Sequence, residues 1–320
     1  MSEALMLDDV CAIEKNDFYD QVIAGLNRKN KKLPPKFFYD ERGSDFFDQI
    51  CELEEYYPYK TELTLLPKVA ESLSSHLQDD YSLIEFGAGS LLKVKPLLER
   101  VRGIQQFVPI DISGEHLHKA CLELSTEYPL VDVRPVEGDF TKEVNLPSAT
   151  HLRRLGFFPG STIGNLTPNE ANAFLENARK TLGRHSYLLI GVDTKKSPTF
   201  LHRAYNDRLG VTAEFNKNIL HRINRHFDSN IDVEKFEHYA FYNANQGCIE
   251  MHLVCLESQA VFLDDVRIEF NEGETIHTES SYKYTPSEFQ LMAYQSGWAT
   301  KKLWLSENNM FSMFLLKNMD

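Results

Sequence analysis

A short apolar run that ends in an acid and two glycines constrains the fold of this chain more than any other stretch. Residues 83–90 read Leu-Ile-Glu-Phe-Gly-Ala-Gly-Ser. The pattern predicts a buried strand that turns sharply into a helix, because apolar residues suit a strand interior and glycines permit a tight turn. In open parallel sheets such a turn lies at the carboxyl edge, where nucleotide-like ligands bind. The stretch therefore predicts an α/β fold with a cofactor site around Glu85, Gly87, Gly89 and Ser90.

The acids near this turn favour S-adenosylmethionine over a phosphate-bearing cofactor. A dinucleotide fingerprint would need a third glycine near Leu92, and the sequence has none there. Asp111 ends the next predicted strand, at about the spacing at which an acid binds ribose hydroxyls. Carboxylates at Glu85 and Asp111 would repel phosphates, but they suit hydroxyls and a sulfonium. The alternative is a tight turn in some other kind of α/β protein.

Composition and charge exclude several classes of function. The chain has 320 residues and a formal charge of −13, so binding to nucleic acid or an anionic membrane would need a local basic patch, and none is evident. No apolar run reaches membrane-spanning length, and Met1 to Asp9 is acidic where a secretory signal would be basic. The five cysteines lack Cys-x-x-Cys spacing, which indicates reduced thiols rather than disulfides or a zinc site. We expect a cytoplasmic protein with no metal, no nucleic-acid partner and no membrane partner.

Strands and helices alternate from Glu62 to about Lys196, which predicts a parallel sheet joined by crossovers. A helix is predicted over 93–101, and a third strand over 131–136 is followed by Asp139 and Phe140, an acid and a ring that suit an adenine amine and an adenine face. A generic turn would explain this pair almost as well. A fourth strand leads into the loop 159–165, whose hydroxyls and amide would lie near a transferred methyl group.

The flanking parts of the chain predict a second domain. Residues 197–228 have helical spacing, 236–270 alternate as strands do, and 286–320 predict a helix and a closing hairpin that resume the first sheet. Near the amino end, three tyrosines surround a proline over 54–59, which predicts either a pocket wall or packing aromatics. We therefore predict a cofactor-binding domain of residues 62–196 plus 286–320. An inserted α+β domain of residues 1–61 plus 197–285 would bind the substrate.

Several short motifs, spread over nearly the whole chain, carry a family resemblance. They are Pro34–Asp40 with Gly43 and Ser44, Glu55–Pro58, Glu85–Ser90, Gly160–Asn165, Gly210–Asn216, Ile249–Met251 and His277–Ser281. Each is common alone, but the combination resembles the histidine-specific N-α-methyltransferases of ergothioneine biosynthesis. The resemblance implies a Rossmann-like class I methyltransferase sheet with an inserted substrate-binding domain. It also implies transfer of three methyl groups from S-adenosylmethionine to the α-amine of L-histidine, which gives hercynine.

The resemblance also implies roles for individual residues. Tyr56, Asn165 and Tyr205 match positions that hold the amine and carboxylate of the amino acid, and Glu279 and Ser281 match positions that bind the imidazole. We assign the catalytic role to Tyr56 and Asn165. The predicted substrate site comprises Tyr39, Tyr56, Asn165, Tyr205, Phe215, Met251, Glu279 and Ser281, and the predicted cofactor site comprises Glu85, Gly87, Gly89, Ser90, Lys93, Asp111, Asp139 and Phe140.

Other functions remain open at this point. The chain departs from the family pattern at Tyr59-Lys60, where members have Thr-Arg, a change that keeps the positive charge and loses the planar fork of arginine. A methyltransferase for a carboxylate, a phenol, 5-thiohistidine or a tryptophan derivative is an alternative, as is a non-catalytic protein that binds S-adenosylmethionine. An acid at Glu279 and a hydroxyl at Ser281 favour an imidazole over an indole, because an indole has one donor and no acceptor. We expect a monomer.

Overall fold

The computed structural model describes residues 17–112, 114–142, 144–149 and 151–320. The acidic stretch Met1 to Asp9 and Cys11 lie outside the described residues. The chain divides into two compact units. The large-sheet unit contains Tyr57–Ser197, Gln246–Cys248 and Ser281–Asp320, and the small-sheet unit contains the described residues up to Tyr56 with Pro198–Asn245 and Ile249–Ser280.

The secondary-structure elements are numbered in chain order. The helices are α1 (17–26), α2 (Glu41–Glu52), α3 (Tyr57–Leu73), α4 (Lys95–Arg100), α5 (Gly114–Glu127), α6 (Pro168–Leu182), α7 (Pro198–Tyr205), α8 (Val211–Phe227) and α9 (Pro286–Gln295). The strands are β1 (Lys31–Lys32), β2 (Tyr81–Phe86), β3 (Ile104–Asp111), β4 (Asp132–Val133), β5 (Val136–Glu137), β6 (Arg153–Phe158), β7 (Tyr187–Asp193), β8 (Phe236–Asn243), β9 (Cys248–Cys255), β10 (Gln259–Leu263), β11 (Val266–Phe270), β12 (Thr275–Tyr282), β13 (Trp298–Leu305) and β14 (Phe311–Asn318).

The large sheet has the strand order β13-β14-β7-β6-β2-β3-β4, and β5 also pairs with β3. Strands β2, β3, β6 and β7 run parallel, whereas β14 runs antiparallel to both β7 and β13. Every residue of β2 is buried, as expected for a strand covered on both faces. The sheet confirms the predicted α/β class, including the closing hairpin.

Side chains that alternate along each strand build a core on both faces of the large sheet. Leu83 of β2 packs in one cluster with residues of α3, α4 and α5, and Ile84 packs in the other with residues of α6 and α9. Apolar residues at successive positions therefore require helices on both sides.

The small-sheet unit contains a four-stranded sheet, β1-β12-β9-β8, and the hairpin β10-β11. Strand β9 alternates between buried and half-buried residues, so one of its faces packs on the core. Asn216 of α8 ties this core to the sheet, because its Nδ2 donates to the carbonyl of His252 at 3.0 Å and its Oδ1 accepts from Thr278 Oγ1 at 2.7 Å.

Two predicted elements are interrupted in the structure. The helical stretch 197–228 is divided into α7 and α8 by a loop that ends at Gly210, whose φ is +74°. Asp207 accepts hydrogen bonds from the backbone amides of Val211 at 3.0 Å and Thr212 at 2.8 Å, which favours a new helix start there. The strand predicted over 131–136 is only β4 and β5, since Pro135 between them has no N–H to donate.

The boundary of the units differs from the predicted one. Residues 57–61, 197, 246–248 and 281–285, which the sequence placed in the substrate-binding part, lie in the large-sheet unit. Tyr57 begins α3, whose residues Leu65 and Leu66 are buried in the core, and Tyr284 forms a β-bridge with Thr194. Which unit binds which ligand stays a prediction.

The cysteine and membrane expectations can be compared with the described part of the chain. Cys51, Cys121, Cys248 and Cys255 are free thiols, and all four are buried. None of the described helices is long and apolar enough to cross a membrane.

Candidate functional site

The two glycines after β2 form a tight turn with a left-handed backbone. Gly87 has φ +69° and Gly89 has φ +54°, values that L side chains rarely adopt. The amides of Gly87 and Ala88 both donate to the carbonyl of Ile110, at 2.9 and 3.1 Å, so the turn is fixed against the end of β3. A Cβ at Gly89 would meet no heavy atom of the described residues within 4 Å. The space in front of Gly89 is therefore open to a ligand.

Two acids stand at this turn, and one of them has an oxygen without a hydrogen bond. Asp111 Oδ2 accepts from the amide of Gly89 at 3.1 Å. Glu85 is 1% exposed, and its Oε2 has no hydrogen-bond partner among the described residues. Burial raises the pKa of Glu85 well above its ordinary value, Lys93 opposes this rise, and Glu62 and Asp111 add to it. A buried carboxylate beside an open glycine turn fits a cationic ligand such as S-adenosylmethionine.

Lys93, which we predicted to contact the cofactor, forms a buried ion pair. Its Nζ lies 2.9 Å from Oε2 of Glu62, a fully buried residue of α3. The amide of Gly160 donates to both oxygens of the same carboxylate at 2.9 Å. Glu62 thus joins α3 to the loop after β6. Sequence reasoning missed Glu62, because a glutamate in a helix is usually exposed. Contact of Lys93 with a cofactor stays a prediction.

The remaining predicted residues of the large-sheet unit lie after the other strands. Asp139 and Phe140 are half-buried, Asp139 Oδ1 accepts from the amide of Thr141 at 2.9 Å, and the Phe140 ring lies edge-on to Phe158 with centroids 5.3 Å apart. Asn165 is half-buried at the end of a short 3-10 turn after β6. Ser90 is exposed in the glycine turn.

A buried charge network lies at the end of β7. Tyr57 Oη donates to Asp193 Oδ2 at 2.6 Å, Lys283 Nζ lies 2.8 Å from the same oxygen, and Lys196 contacts Oδ1. Lys196 Nζ also donates to Tyr57 Oη at 2.7 Å, and Lys283 donates to Ser281 Oγ at 2.8 Å. Ser281 is therefore already hydrogen-bonded inside this network.

The protonation states in the network follow from burial and pairing. Burial opposes ionisation of Asp193, but the charges of Lys283 and Lys196 outweigh it and hold the pKa of Asp193 below its ordinary value. Burial lowers the pKa of Lys196 to about 8, although Asp193 opposes the shift. Sequence reasoning did not identify Asp193, Lys196 or Lys283. The available signal was an acid at the end of a buried strand, followed by Lys195-Lys196.

The small-sheet unit brings the predicted aromatic residues into one cluster. Ring centroids are 6.2 Å apart for Tyr56 and Tyr205 and 5.7 Å apart for Tyr39 and Phe215. Phe47, which sequence reasoning missed, links the two pairs, since its ring lies 6.3 Å from Tyr56 and 5.7 Å from Tyr39. Mostly edge-to-face contacts of this kind leave some ring faces uncovered.

Other predicted substrate residues of the small-sheet unit are buried, and burial raises the pKa of one of them. Glu279 of β12 is 7% exposed, and Met251 of β9 and Tyr205 are also buried. Burial raises the pKa of Tyr56 well above its ordinary value, and Tyr205 and Glu279 act in the same direction. Tyr56 is therefore a neutral phenol at physiological pH and can donate a hydrogen bond.

Comparisons with known proteins match one family over nearly the whole chain. A family model described as "Histidine-specific methyltransferase, SAM-dependent" matches residues 18–318. The histidine N-alpha-methyltransferase of Mycolicibacterium smegmatis is 38% identical over 301 residues, which cover 92% of each chain. The protein of the same name from Mycobacterium tuberculosis is 36% identical over 300 residues, again 92% of each chain. Ergothioneine biosynthesis protein 1 of Schizosaccharomyces pombe is 30% identical over 273 residues, 81% of this chain and 35% of that protein.

Proposed function

The chain belongs to the family of SAM-dependent, histidine-specific methyltransferases, and on that premise we propose that it trimethylates the α-amine of L-histidine to hercynine, the first step of ergothioneine biosynthesis. The observation that supports the choice of substrate is the buried Glu279 near the phenol of Tyr56, whose ring lies against that of Tyr205. A small zwitterion with a ring N–H has a carboxylate that can accept from the phenols and a donor that can pair with the carboxylate of Glu279.

S-adenosylmethionine is the methyl donor of this family, and when bound it supplies an electrophilic methyl group on a sulfonium. In our proposal Gly89 leaves room for it, and Asp111 accepts hydrogen bonds from its ribose hydroxyls. Glu85 places a carboxylate at the turn, where it attracts the cationic part of the donor. Asp139 and Phe140 hold the adenine through its amine and its face. The transfer uses no metal, because the sulfonium is already an activated leaving group.

The proposed work of the substrate residues is to orient the amine. Tyr56 and Tyr205 donate to the carboxylate of histidine, and the amide oxygen of Asn165 accepts from the amine. Held in line with the methyl group, the amine gains roughly 7–11 kcal/mol from proximity. Only a neutral amine attacks, and its ordinary pKa near 8 leaves much of it protonated, so a desolvated site assists loss of the proton.

Aromatic faces suit the methylated products. Each methyl group removes an N–H donor, and the trimethylated amine has none. Tyr39 and Phe215, whose rings lie 5.7 Å apart, offer faces for cation–π attraction worth about 0.5–2 kcal/mol. Attraction that does not depend on N–H donors can retain the amine through all three transfers.

The proposed specificity lies on β12. Glu279 and Ser281 are both buried and two residues apart, so they point to the same side of the strand. The carboxylate accepts from one imidazole N–H, and the hydroxyl, which already accepts from Lys283, contacts the second ring nitrogen. A ring that offers Glu279 no donor would forgo this hydrogen bond to a charged group, which is worth about 1.5–3 kcal/mol.

Mass spectrometry tests the proposal directly. The purified protein is incubated with S-adenosylmethionine and, separately, with L-histidine, L-tryptophan and 5-thiohistidine. We expect one, two and three methyl increments on histidine, with hercynine as the final product. Methylation of another amino acid in preference to histidine would contradict the assignment. We also propose a monomer that acts in the cytoplasm, which light scattering and cell fractionation test.

A further inference from the structure

Three potential metal ligands lie together on the small sheet. They are Glu250 and His252 on β9 and His277 on the neighbouring strand β12. One ligand atom from each of the three lies within 4.8 Å of the others, and all three residues are half-buried. None of them has a role in the proposed methyl transfer.

The strand geometry explains why these side chains meet. Glu250 and His252 are two residues apart, so both project from the half-buried face of β9, while Ile249 and Met251 project into the core. His277 reaches the same place from the adjacent strand, and its ring centroid lies 5.1 Å from that of His252. Ligands carried by hydrogen-bonded strands have a fixed backbone, which holds a metal site more precisely than a loop does.

Neighbouring groups orient the three side chains. Asn243 Nδ2 donates to Glu250 Oε1 at 2.8 Å, which leaves Oε2 pointing to His252 Nε2 at 3.1 Å. His277 Nε2 lies 3.0 Å from Ser280 Oγ. The other ring nitrogen of His252, Nδ1, is buried and has no hydrogen-bond partner among the described residues. An ion bound together with Glu250 would therefore use Nε2, which faces that carboxylate, and would leave Nδ1 with its proton.

We propose that Glu250, His252 and His277 form a binding site for a divalent transition-metal ion, with Zn²⁺ as the fitting ion. Two imidazoles and one carboxylate are ligands that Zn²⁺ accepts, whereas Mg²⁺ and Ca²⁺ prefer oxygen alone. Zinc bonds of about 2.0–2.2 Å require ligand atoms roughly 3.4 Å apart. Glu250 Oε2 and His252 Nε2 lie near this separation at 3.1 Å, and the ligand atom of His277, within 4.8 Å of both, would have to move closer to complete the set. Water fills the remaining position, because the cluster is half-exposed.

The ion would cross-link β9 to β12, the strands that carry Met251 and Glu279. Its role is therefore structural, and it adds to the proposed function without taking part in the transfer. Lys32 of β1 is paired in register with His277 of β12, and its ammonium group opposes a cation at the site. Affinity for Zn²⁺ should consequently increase when this charge is removed.

Calorimetry on untagged, chelator-stripped protein tests the proposal with Zn²⁺ alone, and Co²⁺ serves as a visible-absorption probe. We expect one equivalent of Zn²⁺ to bind and Co²⁺ to show the absorption of a nitrogen- and oxygen-ligated ion. The double variant His252→Gln, His277→Gln should weaken binding at least about tenfold. The matched control His226→Gln, at an exposed histidine of α8, should bind as the wild type does, and Lys32→Met should bind more tightly.

Absence of one-equivalent binding, or binding that the double variant retains, overturns the proposal. Should that variant fail to fold, anomalous diffraction at the zinc edge from the wild-type protein decides whether the ion lies between Glu250, His252 and His277. The metal-free protein should still methylate histidine, since the three ligands lie outside the transfer machinery. Failure of the metal site is therefore distinguishable from failure of the proposed function.

Discussion

Replacing Glu85 with glutamine should separate a cofactor-binding carboxylate from a merely structural one. Glu85 is 1% exposed, and its Oε2 has no hydrogen-bond partner among the described residues. Burial favours the protonated form of Glu85 in the free protein, whereas a bound sulfonium would favour the carboxylate. Glutamine keeps the shape of the side chain but cannot ionise. A hydrogen bond to a charged group is worth about 1.5–3 kcal/mol, so the dissociation constant for S-adenosylmethionine should increase about tenfold to a hundredfold. Calorimetry without histidine measures this change.

The same substitution should change the pH dependence of stability. Because the folded pKa of Glu85 lies above the ordinary value of 4.5, the native state holds a proton that the unfolded chain has released. Stability from Glu85 is therefore complete below pH 4.5 and is lost as the pH rises through the folded pKa. Each unit of that shift corresponds to about 1.4 kcal/mol. The Glu85→Gln variant does not lose stability in this way. Its unfolding free energy should therefore increase relative to that of the wild type as the pH rises above 4.5.

Glu62→Gln is the matched control, since Glu62 is equally buried but fully paired. Its carboxylate lies 2.9 Å from Lys93 Nζ and accepts from the amide of Gly160. Removing one partner of a buried pair costs about 3–5 kcal/mol, so this variant should lose stability at neutral pH. Urea unfolding between pH 4.5 and 8 compares the three proteins. A Glu85→Gln variant that binds S-adenosylmethionine as the wild type does, or whose unfolding free energy changes with pH in the same way as that of the wild type, would contradict these predictions.

Three further predictions concern the amine, the imidazole and the charge network. Asn165→Ala should lower kcat at least about tenfold, or 1.4 kcal/mol, by freeing the amine to rotate, and unchanged kcat would make the loop after β6 structural only. Glu279→Met combined with Ser281→Ala should lower the ratio of kcat/KM for histidine to that for tryptophan, and an unchanged ratio would mean that the imidazole is bound elsewhere. Burial lowers the pKa of Lys196 from 10.5 to about 8, so between these values the unfolded chain binds more protons and the unfolding free energy rises with pH, by at most about 1.4 kcal/mol per unit. Lys196→Met should remove that rise in urea unfolding, and an identical pH profile would contradict the shift.

Elements with a strong local pattern could be predicted from the sequence. The strand that contains Glu85 was predicted because a short apolar run and an acid precede two glycines, and the structure buries all of that strand. Where the prediction was wrong, one residue changed the backbone. Pro135 interrupts a strand because it cannot donate, and Gly210, with φ +74°, separates two helices whose apolar spacing looks continuous.

Helix α3 shows where local rules mislead. Pro67 lies inside it, and a proline in a helix interior predicts an end there. The helix continues because Leu66, Val69 and Ala70 are buried in the core of the large-sheet unit, and their packing outweighs the lost hydrogen bond. Tyr57, one of the tyrosines that the sequence assigned to a pocket wall or to packing, is the first residue of this helix.

Buried charges were the part of the candidate site that could not be predicted. Glu62, Asp193 and Lys283 belong to residue types that are almost always exposed, so from sequence alone each is expected at the protein surface. Each is nearly inaccessible here, and each is buried only because a partner distant in the sequence neutralises it: Asp193 pairs with Lys283 at 2.8 Å across 90 residues of chain. Neither periodicity nor spacing encodes such a pair, because it depends on which strand ends the sheet brings together. The cost of burying each charge alone is several kcal/mol, so the pairs must form together with the sheet.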